Sequence, residues 1–408
     1  MDIKKIRLDF PMLNNKTMQG KPLVYFDNGA TSLKPQCVID AICDYYSNFT
    51  ANAHRGDYDI AHKVDQTFDA VRSKVANFIN AKDKEVVFTA GTSMSINMVA
   101  YGYGVKYLTE NDEILITEAE HASNVLPWYK VAEQTGCKVN FIELDEKGRL
   151  TVDNLKKALN PNVKIVSLAH ISNVLGYDFD VKEFAKLIHE VGAVFLLDGA
   201  QSVPHKKVDV KDLDVDFLVF SGHKMCGPTG IGVLYGKYDL LNKMDPLMTG
   251  GGMNTKFDMC GNIGYQHPPL KFEAGTQNIA GVIGLGAAID YLNSIGMDVI
   301  EQREKELKRY AIEKLKEVDI ITIYNDDNDS GIITFNVKDV FAQDAASLFN
   351  SYGIAVRSGE HCAKILLNKL NAPATVRASL YFYNTFEEID AFIEGCKKGG
   401  DFLDAYIN

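Results

Sequence analysis

The chain has 408 residues, 46% of them hydrophobic and 24% charged, and a formal net charge of −11. That length supports two domains around a large core, and the acidic balance disfavours nucleic acid or an acidic membrane surface as partner. No apolar stretch reaches the roughly 18 residues of a membrane span, and the opening MDIKKIRLDFPML lacks the apolar core of a secretory signal; a reducing cytoplasm is the expected setting.

Residues 1–21 read as a short helix and loop, and Val24-Tyr25-Phe26 as a strand running into the turn Asp27-Asn28-Gly29-Ala30-Thr31. Gly29-Ala30 would let a ligand approach the backbone. Helices are expected around Pro35–Phe49 and Ala61–Ile79, with the basic cluster His54-Arg55-Gly56 between them. Glu85–Thr89 is a strand that leads through Gly91-Thr92-Ser93 into a helical pattern at Ile96–Tyr101. A strand, a Gly-Thr-Ser turn and a helix point N–H groups and hydroxyls at a phosphate, although the same residues also make an ordinary helix cap. No GxGxxG or P-loop pattern occurs, which disfavours nicotinamide and nucleoside triphosphate cofactors.

Strands at Glu113–Thr117, Lys138–Glu143, Lys164–Ala169 and Ala193–Leu197 then alternate with helical patterns at Val152–Leu159 and Val181–Glu190. This alternation predicts an α/β fold with a mostly parallel sheet covered by helices on both faces. In such sheets ligand groups gather beyond the carboxyl ends of the strands. The polar residues at those ends are His121, Asn173, Asp198 and Gln201.

The central stretch is Val215–Lys224, VDFLVFSGHK. An apolar run of buried-strand length stops at Ser221-Gly222, and His223 and Lys224 follow before the return Gly227-Pro228-Thr229-Gly230-Ile231-Gly232. A lysine held there by glycine turns suits a Schiff base with a carbonyl cofactor such as pyridoxal phosphate. The strand-end residues supply the rest of such a site. Asp198 suits the pyridine nitrogen, His121 the ring face, Gln201 and Asn173 the phenolic oxygen, and Thr92, Ser221 and His223 the phosphate.

Beyond Gly250-Gly251-Gly252, a flexible segment or a close backbone approach, the Ile279–Ser294 helix reads as a domain connector. Glu301–Glu317 reads as a charged amphipathic helix whose neighbours Glu304 and Lys308 belong to a solvated face. Strands at Ile332–Val337, Ile354–Val356 and Thr375–Leu380 and a helix at Ala342–Tyr352 form the second unit. Its loop Arg357-Ser358-Gly359-Glu360-His361-Cys362 holds a candidate nucleophile flanked by basic residues, and Arg377 is a natural fork for a substrate carboxylate. The other cysteines, Cys37, Cys43, Cys137, Cys226, Cys260 and Cys396, are scattered without CxxC spacing. They signal neither a metal site nor a redox dithiol, and most are expected to be small buried hydrophobes.

The motifs DNGATS (27–32), HRG (54–56), GTSMSIN (91–97), EAEHASN (118–124), SNVLG (172–176), DGAQSVPH (198–205), SGHKMCGPTGIGVLYG (221–236), FEAGTQN (272–278) and RSGEHCA (357–363) occur in order over almost the whole chain. With them the chain resembles the SufS-type cysteine desulfurases, in the class V aminotransferase group of fold-type I pyridoxal phosphate enzymes. The resemblance implies a large cofactor domain, residues 22–290, with a mostly parallel seven-stranded sheet. It also implies a smaller α+β domain, 1–21 and 291–408, that carries the Cys362 loop.

It further implies that Lys224 forms the Schiff base and moves the Cα proton, His121 stacks on the ring, Asp198 pairs with the pyridine nitrogen and Gln201 bonds the phenolic oxygen. Thr92, Ser221 and His223 would hold the phosphate, and Thr276 would reach the phosphate of a partner subunit in a homodimer. Asn173 and Arg377, with Ala30 and Arg357 alongside, would bind the carboxylate of L-cysteine, and Cys362 would take its sulfur as a persulfide. A SufE- or SufU-like protein would accept that sulfur for iron–sulfur cluster assembly. The family loop usually reads Arg-x-Gly-His-His-Cys; here Glu360 replaces the first histidine, which puts a negative charge two residues from the thiol. Selenocysteine lyase and cysteine sulfinate desulfinase are the neighbouring activities, and they would not all need Cys362.

Overall fold

The structure, a computed structural model, describes residues 1–399. Its centre is a seven-stranded sheet in the spatial order Val86–Thr89, Gly232–Gly236, Phe217–Ser221, Val194–Asp198, Val163–Ala169, Glu113–Thr117, Lys138–Ile142. Every strand runs parallel to the others except Gly232–Gly236, which returns antiparallel beside both of its neighbours. The inner strands are buried on both faces, so they read in sequence as unbroken apolar runs.

Alternate residues feed two cores. Phe195, Leu197, Leu218 and Phe220 pack with the helices Asp59–Phe78, Val181–Glu190 and Ile279–Ile295 on one face. Leu196, Phe217 and Val219 pack with Thr92–Val99 and Leu126–Thr135 on the other. The predicted α/β architecture is the observed one. No single helix among the described residues is long and apolar enough to cross a membrane.

A second, four-stranded antiparallel sheet has the order Ile321–Ile323, Ile332–Val337, Thr375–Ser379, Arg357–Gly359. The helices Met297–Leu315, Ala342–Ser351 and Phe386–Lys397 cover it through Leu307, Phe349 and Phe392. The chain enters this unit early. Val24–Tyr25 pairs in parallel with Ile354–Ala355, and Val24 and Phe26 join its core. Phe10, in contrast, packs in the large core against Tyr383, with ring centroids 4.6 Å apart.

The Ile279–Ile295 helix is buried along most of its length against Gln36–Asn48 and Asp59–Phe78, as its glycine- and alanine-rich composition allows, and leads through Gly296 into Met297–Leu315. Two sequence expectations are corrected. Of the six cysteines other than Cys362, half are buried and not most: Cys137, Cys226 and Cys396 are buried, whereas Cys37, Cys43 and Cys260 are exposed, as is Cys362. Glu304 and Lys308 are not on a solvated face. They are 3% and 1% exposed, because their side of the helix faces the rest of the protein. Glu304 pairs with His205 Nδ1 at 3.0 Å, and Lys308 Nζ donates to the carbonyls of Asn325, at 3.0 Å, and Ile332.

Burial pulls the Lys308 amine down to about 7, whereas an unfolded lysine keeps its proton to about 10.4. The unfolded chain thus binds more protons between these values, and the Lys308 contribution makes stability rise with pH across that window. Lys308→Met is expected to remove this rise, so the wild type gains stability relative to the variant between about pH 7 and about pH 10. Denaturant midpoints at the two pH values check it; a constant difference contradicts it.

Candidate active site

The site begins at two strand ends. Asp198 closes Val194–Asp198, where its carboxylate accepts from Ala200 N at 3.0 Å. Burial pushes this carboxyl upward, and Lys224 opposes the push. The neighbouring strand ends at Ser221, and the chain turns sharply through Gly222-His223-Lys224. Four donors from the Asp27–Lys34 segment fix that turn. Ser32 N, Ser32 Oγ, Thr31 Oγ1 and Lys34 Nζ all reach the carbonyl of His223, at 2.9–3.2 Å. Lys224 is thereby held with its amine in the cavity, and burial brings that amine down to about 8 against the pull of Asp198.

Beside it the Thr92–Val99 helix begins. Thr92 N and Thr92 Oγ1 lie 2.8 and 2.7 Å from Ser221 Oγ. Gly91 precedes them at φ 147°, and a Cβ on Gly232 would stand 2.5 Å from Gly91 Cα, so this approach of backbone to backbone needs glycine. Hydroxyls and free N–H groups at a helix start make a cradle for an anion. His223 adds a neutral imidazole, since burial and then Lys224 and Lys34 lower it to about 4.

His121 is also neutral, lowered to about 4 by burial and then by Lys224, Arg357 and Arg377. Its Nδ1 accepts from Ser123 N at 3.1 Å, which places the ring proton on Nε2. Beneath it lies Glu120, a buried acid that burial raises to about 8. Glu120 accepts from Thr117 Oγ1 at 2.6 Å, Asn124 Nδ2 at 2.7 Å and Ala169 N at 2.8 Å, and so ties the His121 turn to the next strand end.

The opposite wall comes from the second unit. Arg377, 1% exposed, donates from Nη1 to the carbonyl of Asn173 at 2.7 Å and from Nη2 to Asp27 Oδ1 at 3.3 Å. Asn173 Nδ2 in turn donates to the carbonyl of His361 at 2.9 Å. The Cys362 loop is pinned from the large unit by Ala122 N, 2.8 Å from the carbonyl of Cys362. His361 and Cys362 are both left-handed, at φ 52° and 57°, a pair of strained residues that the sequence does not announce. Arg357 Nη2 lies 3.8 Å from Cys362 Sγ. Glu360 is exposed and faces Lys364 at 3.5 Å.

These groups surround a cavity of about 260 Å³. Ala30, Thr92, His121, Asn173, Asp198, Gln201, Ser221, His223, Lys224, Arg357 and Arg377 all line it. Cys362 is exposed and lies outside the lining, as does Thr276, whose Oγ1 accepts from Asn52 Nδ2 at 3.1 Å on the surface. Glu273, in the same segment as Thr276, is anchored by both guanidinium nitrogens of Arg72 at 2.8 Å.

Sequence reasoning missed Ala169, Ile171 and Ala200, which flank the cavity without polar chemistry to signal them. A larger cavity of about 380 Å³ shares Gly29, Ile171 and Gln201 with the first. Its charges are largely paired among themselves, as in Lys206–Asp178 and Lys305–Glu301, and it contains no nucleophile beside an activating group.

A flat, anionic, carbonyl-bearing group fits the smaller cavity. Thr92 and Ser221 offer an anion cradle, Asp198 a buried carboxylate and Lys224 an amine, all on the lining of the same cavity. Gln201 donates to the carbonyl of Gly29 at 2.8 Å and leaves its buried Oε1 without a partner, an orphaned atom that a bound group would complete.

A family profile described as aminotransferase class V matches residues 24–392. The chain belongs to this family. A relative named probable cysteine desulfurase, from Halalkalibacterium halodurans, is 45% identical over 406 residues, covering 99% of each chain. A cysteine desulfurase of Haloferax volcanii is 42% identical, over 97% of this chain and 96% of its own. The crystal structure of the cysteine desulfurase CsdA (S-sulfonic acid) of Escherichia coli superimposes with a TM-score of 0.91 at 38% identity, over 98% of this chain and 99% of the other. The class V family thus accounts for the α/β fold and its mostly parallel seven-stranded sheet.

Proposed function

We propose that the chain is a pyridoxal phosphate-dependent cysteine desulfurase of the SufS type, which converts L-cysteine to L-alanine and leaves the sulfur as a persulfide on Cys362. The observation that carries this reading is Cys362 on a pinned loop, 3.8 Å from the Arg357 guanidinium, beside a cavity that gathers Lys224, Asp198, His121 and Arg377. The relatives named as cysteine desulfurases support it.

Thr92, Ser221 and His223 would hold the cofactor phosphate, Asp198 the pyridine nitrogen, Gln201 the phenolic oxygen and His121 the ring face. When bound, pyridoxal phosphate supplies an electron sink for the pair released at Cα. Arg377 and Asn173, with Ala30 and Arg357 alongside, would orient the substrate carboxylate. Lys224, whose amine gives up its proton at about 8, is suited to carry the Cα proton near neutral pH. The neutral His121 can relay the thiol proton through its imidazole.

The Cys362 thiolate then attacks the substrate sulfur. The new S–S bond forms as the Cβ–S bond breaks, the electron pair stays with Cβ, and a proton completes the methyl group of alanine. Cys362 is exposed, so the persulfide can be handed to an acceptor of the SufE or SufU kind, for iron–sulfur cluster assembly in the cytoplasm. Thr276, on the surface, would serve the phosphate of a partner subunit in a homodimer.

Purified protein supplied with pyridoxal phosphate, L-cysteine and a thiol reductant is expected to release alanine and sulfide in equal amounts. L-selenocysteine and L-cysteine sulfinate measured alongside rank the neighbouring activities. Absence of alanine from L-cysteine in the cofactor-loaded protein contradicts the reading.

A further inference from the structure

Lys34 ends the segment that is hydrogen-bonded to the turn carrying His223 and Lys224. An ammonium has three donors, and here each has an acceptor. Lys34 Nζ donates to Thr31 Oγ1 at 3.2 Å, to the carbonyl of His223 at 2.9 Å and to the carbonyl of Ser32. All of these acceptors are neutral. Among the described residues no carboxylate bears on the part-buried Lys34; its one titratable neighbour is the Cys226 thiol, which burial pushes up to about 12 and so keeps neutral. Burial brings the Lys34 amine down to about 8, so at pH 7 it still carries its proton. Its hydrogen bonds are satisfied and its charge is not, a state that an anion nearby relieves.

The anion cradle beside this turn is short of positive charge. Thr92 and Ser221 offer hydroxyls and an N–H, all neutral. His223 is a neutral imidazole, and the two cations that bear on it are Lys224 and Lys34. Arg357 and Arg377 bear on His121 and on Lys224, but not on His223. Lys224 already has a counter-charge in Asp198, and its amine is the group that joins the cofactor aldehyde. Lys34 is therefore the cation whose charge is left for an anion held by Thr92, Ser221 and His223.

We propose that Lys34 is a positioning residue for the cofactor phosphate: its ammonium, fixed against the His223 carbonyl, supplies the positive charge that the cradle lacks and so favours the phosphorylated cofactor. This rests on the reading that puts that phosphate on Thr92, Ser221 and His223. Lys34 is not on the cavity lining. It acts through the His223 turn and through its charge, not by contact.

The test uses the full chain, freed of cofactor with hydroxylamine and titrated with pyridoxal phosphate or with pyridoxal, which differ by the phosphate alone. Their dissociation constants are read from the change in cofactor absorbance. The wild type is expected to prefer pyridoxal phosphate by at least about a hundredfold. Lys34→Gln keeps a donor for the His223 carbonyl without the charge. It is expected to lower that preference about tenfold, and Lys34→Arg, which restores the charge, to keep it. An equal loss of affinity for both aldehydes in Lys34→Gln marks a purely structural role and overturns the proposal, as does an unchanged preference in the folded variant. So does a wild type that binds both aldehydes equally well, a result that needs no variant to fold. Thr92→Val scores the cradle separately. Preference lost there but kept in Lys34→Gln overturns the proposal and leaves the cradle reading in place. Preference kept in Thr92→Val removes the cradle reading and the proposal with it.

Discussion

Replacing Lys224 with alanine is expected to reduce alanine formation from L-cysteine by at least about a thousandfold, the scale at which a covalent group and a proton carrier are lost together. Lys224 sits in the turn after the Phe217–Ser221 strand, with the preceding carbonyl fixed by four donors, so the variant removes an amine from a rigid frame. The anion cradle of Thr92 and Ser221 and the Asp198 carboxylate do not depend on that side chain for their own hydrogen bonds. The variant should therefore still bind pyridoxal phosphate, but without a covalent link. Borohydride reduction followed by intact-mass measurement separates the two states: the wild type gains the cofactor mass and Lys224→Ala does not. A variant that retained substantial turnover would place the covalent lysine elsewhere.

Cys362→Ala is expected to act on a different part of the reaction. The residue lies outside the cavity lining and its loop is held by backbone contacts, from Ala122 N to its carbonyl and from Asn173 to the carbonyl of His361. Removing the sulfur should leave cofactor attachment and substrate binding in place while alanine formation from L-cysteine falls by at least about a hundredfold. Cofactor absorbance on adding L-cysteine and the rate of alanine release measure the two effects separately. A normal rate of alanine release from L-cysteine would make this a lyase in which the sulfur leaves without a protein nucleophile.

The strand-end site was legible because a buried parallel strand must be apolar until it emerges. Asp198, Ser221 and Lys224 each stand where an apolar run stops, and the fold brings those stops together on one edge of the sheet. Residues whose meaning depends on distant partners were not legible. Glu304 and Lys308 look like an exposed pair at helical spacing, yet their partners, His205 and the carbonyls of Asn325 and Ile332, are supplied by other elements. Asp27 reads as a turn residue until Arg377, 350 positions away, is placed beside it. The left-handed His361 and Cys362 carry no glycine signal, because the surrounding contacts hold that geometry. The helix at Thr92–Val99 continues as a wider π-helical turn over Ala100–Val105, which sequence periodicity does not resolve.

The most direct test of the account is mass spectrometry of the cofactor-loaded protein after L-cysteine is added without reductant. The account predicts one added sulfur on the peptide that contains Cys362, with an equal yield of alanine. Alanine formed while the Cys362 peptide stays unmodified would contradict it.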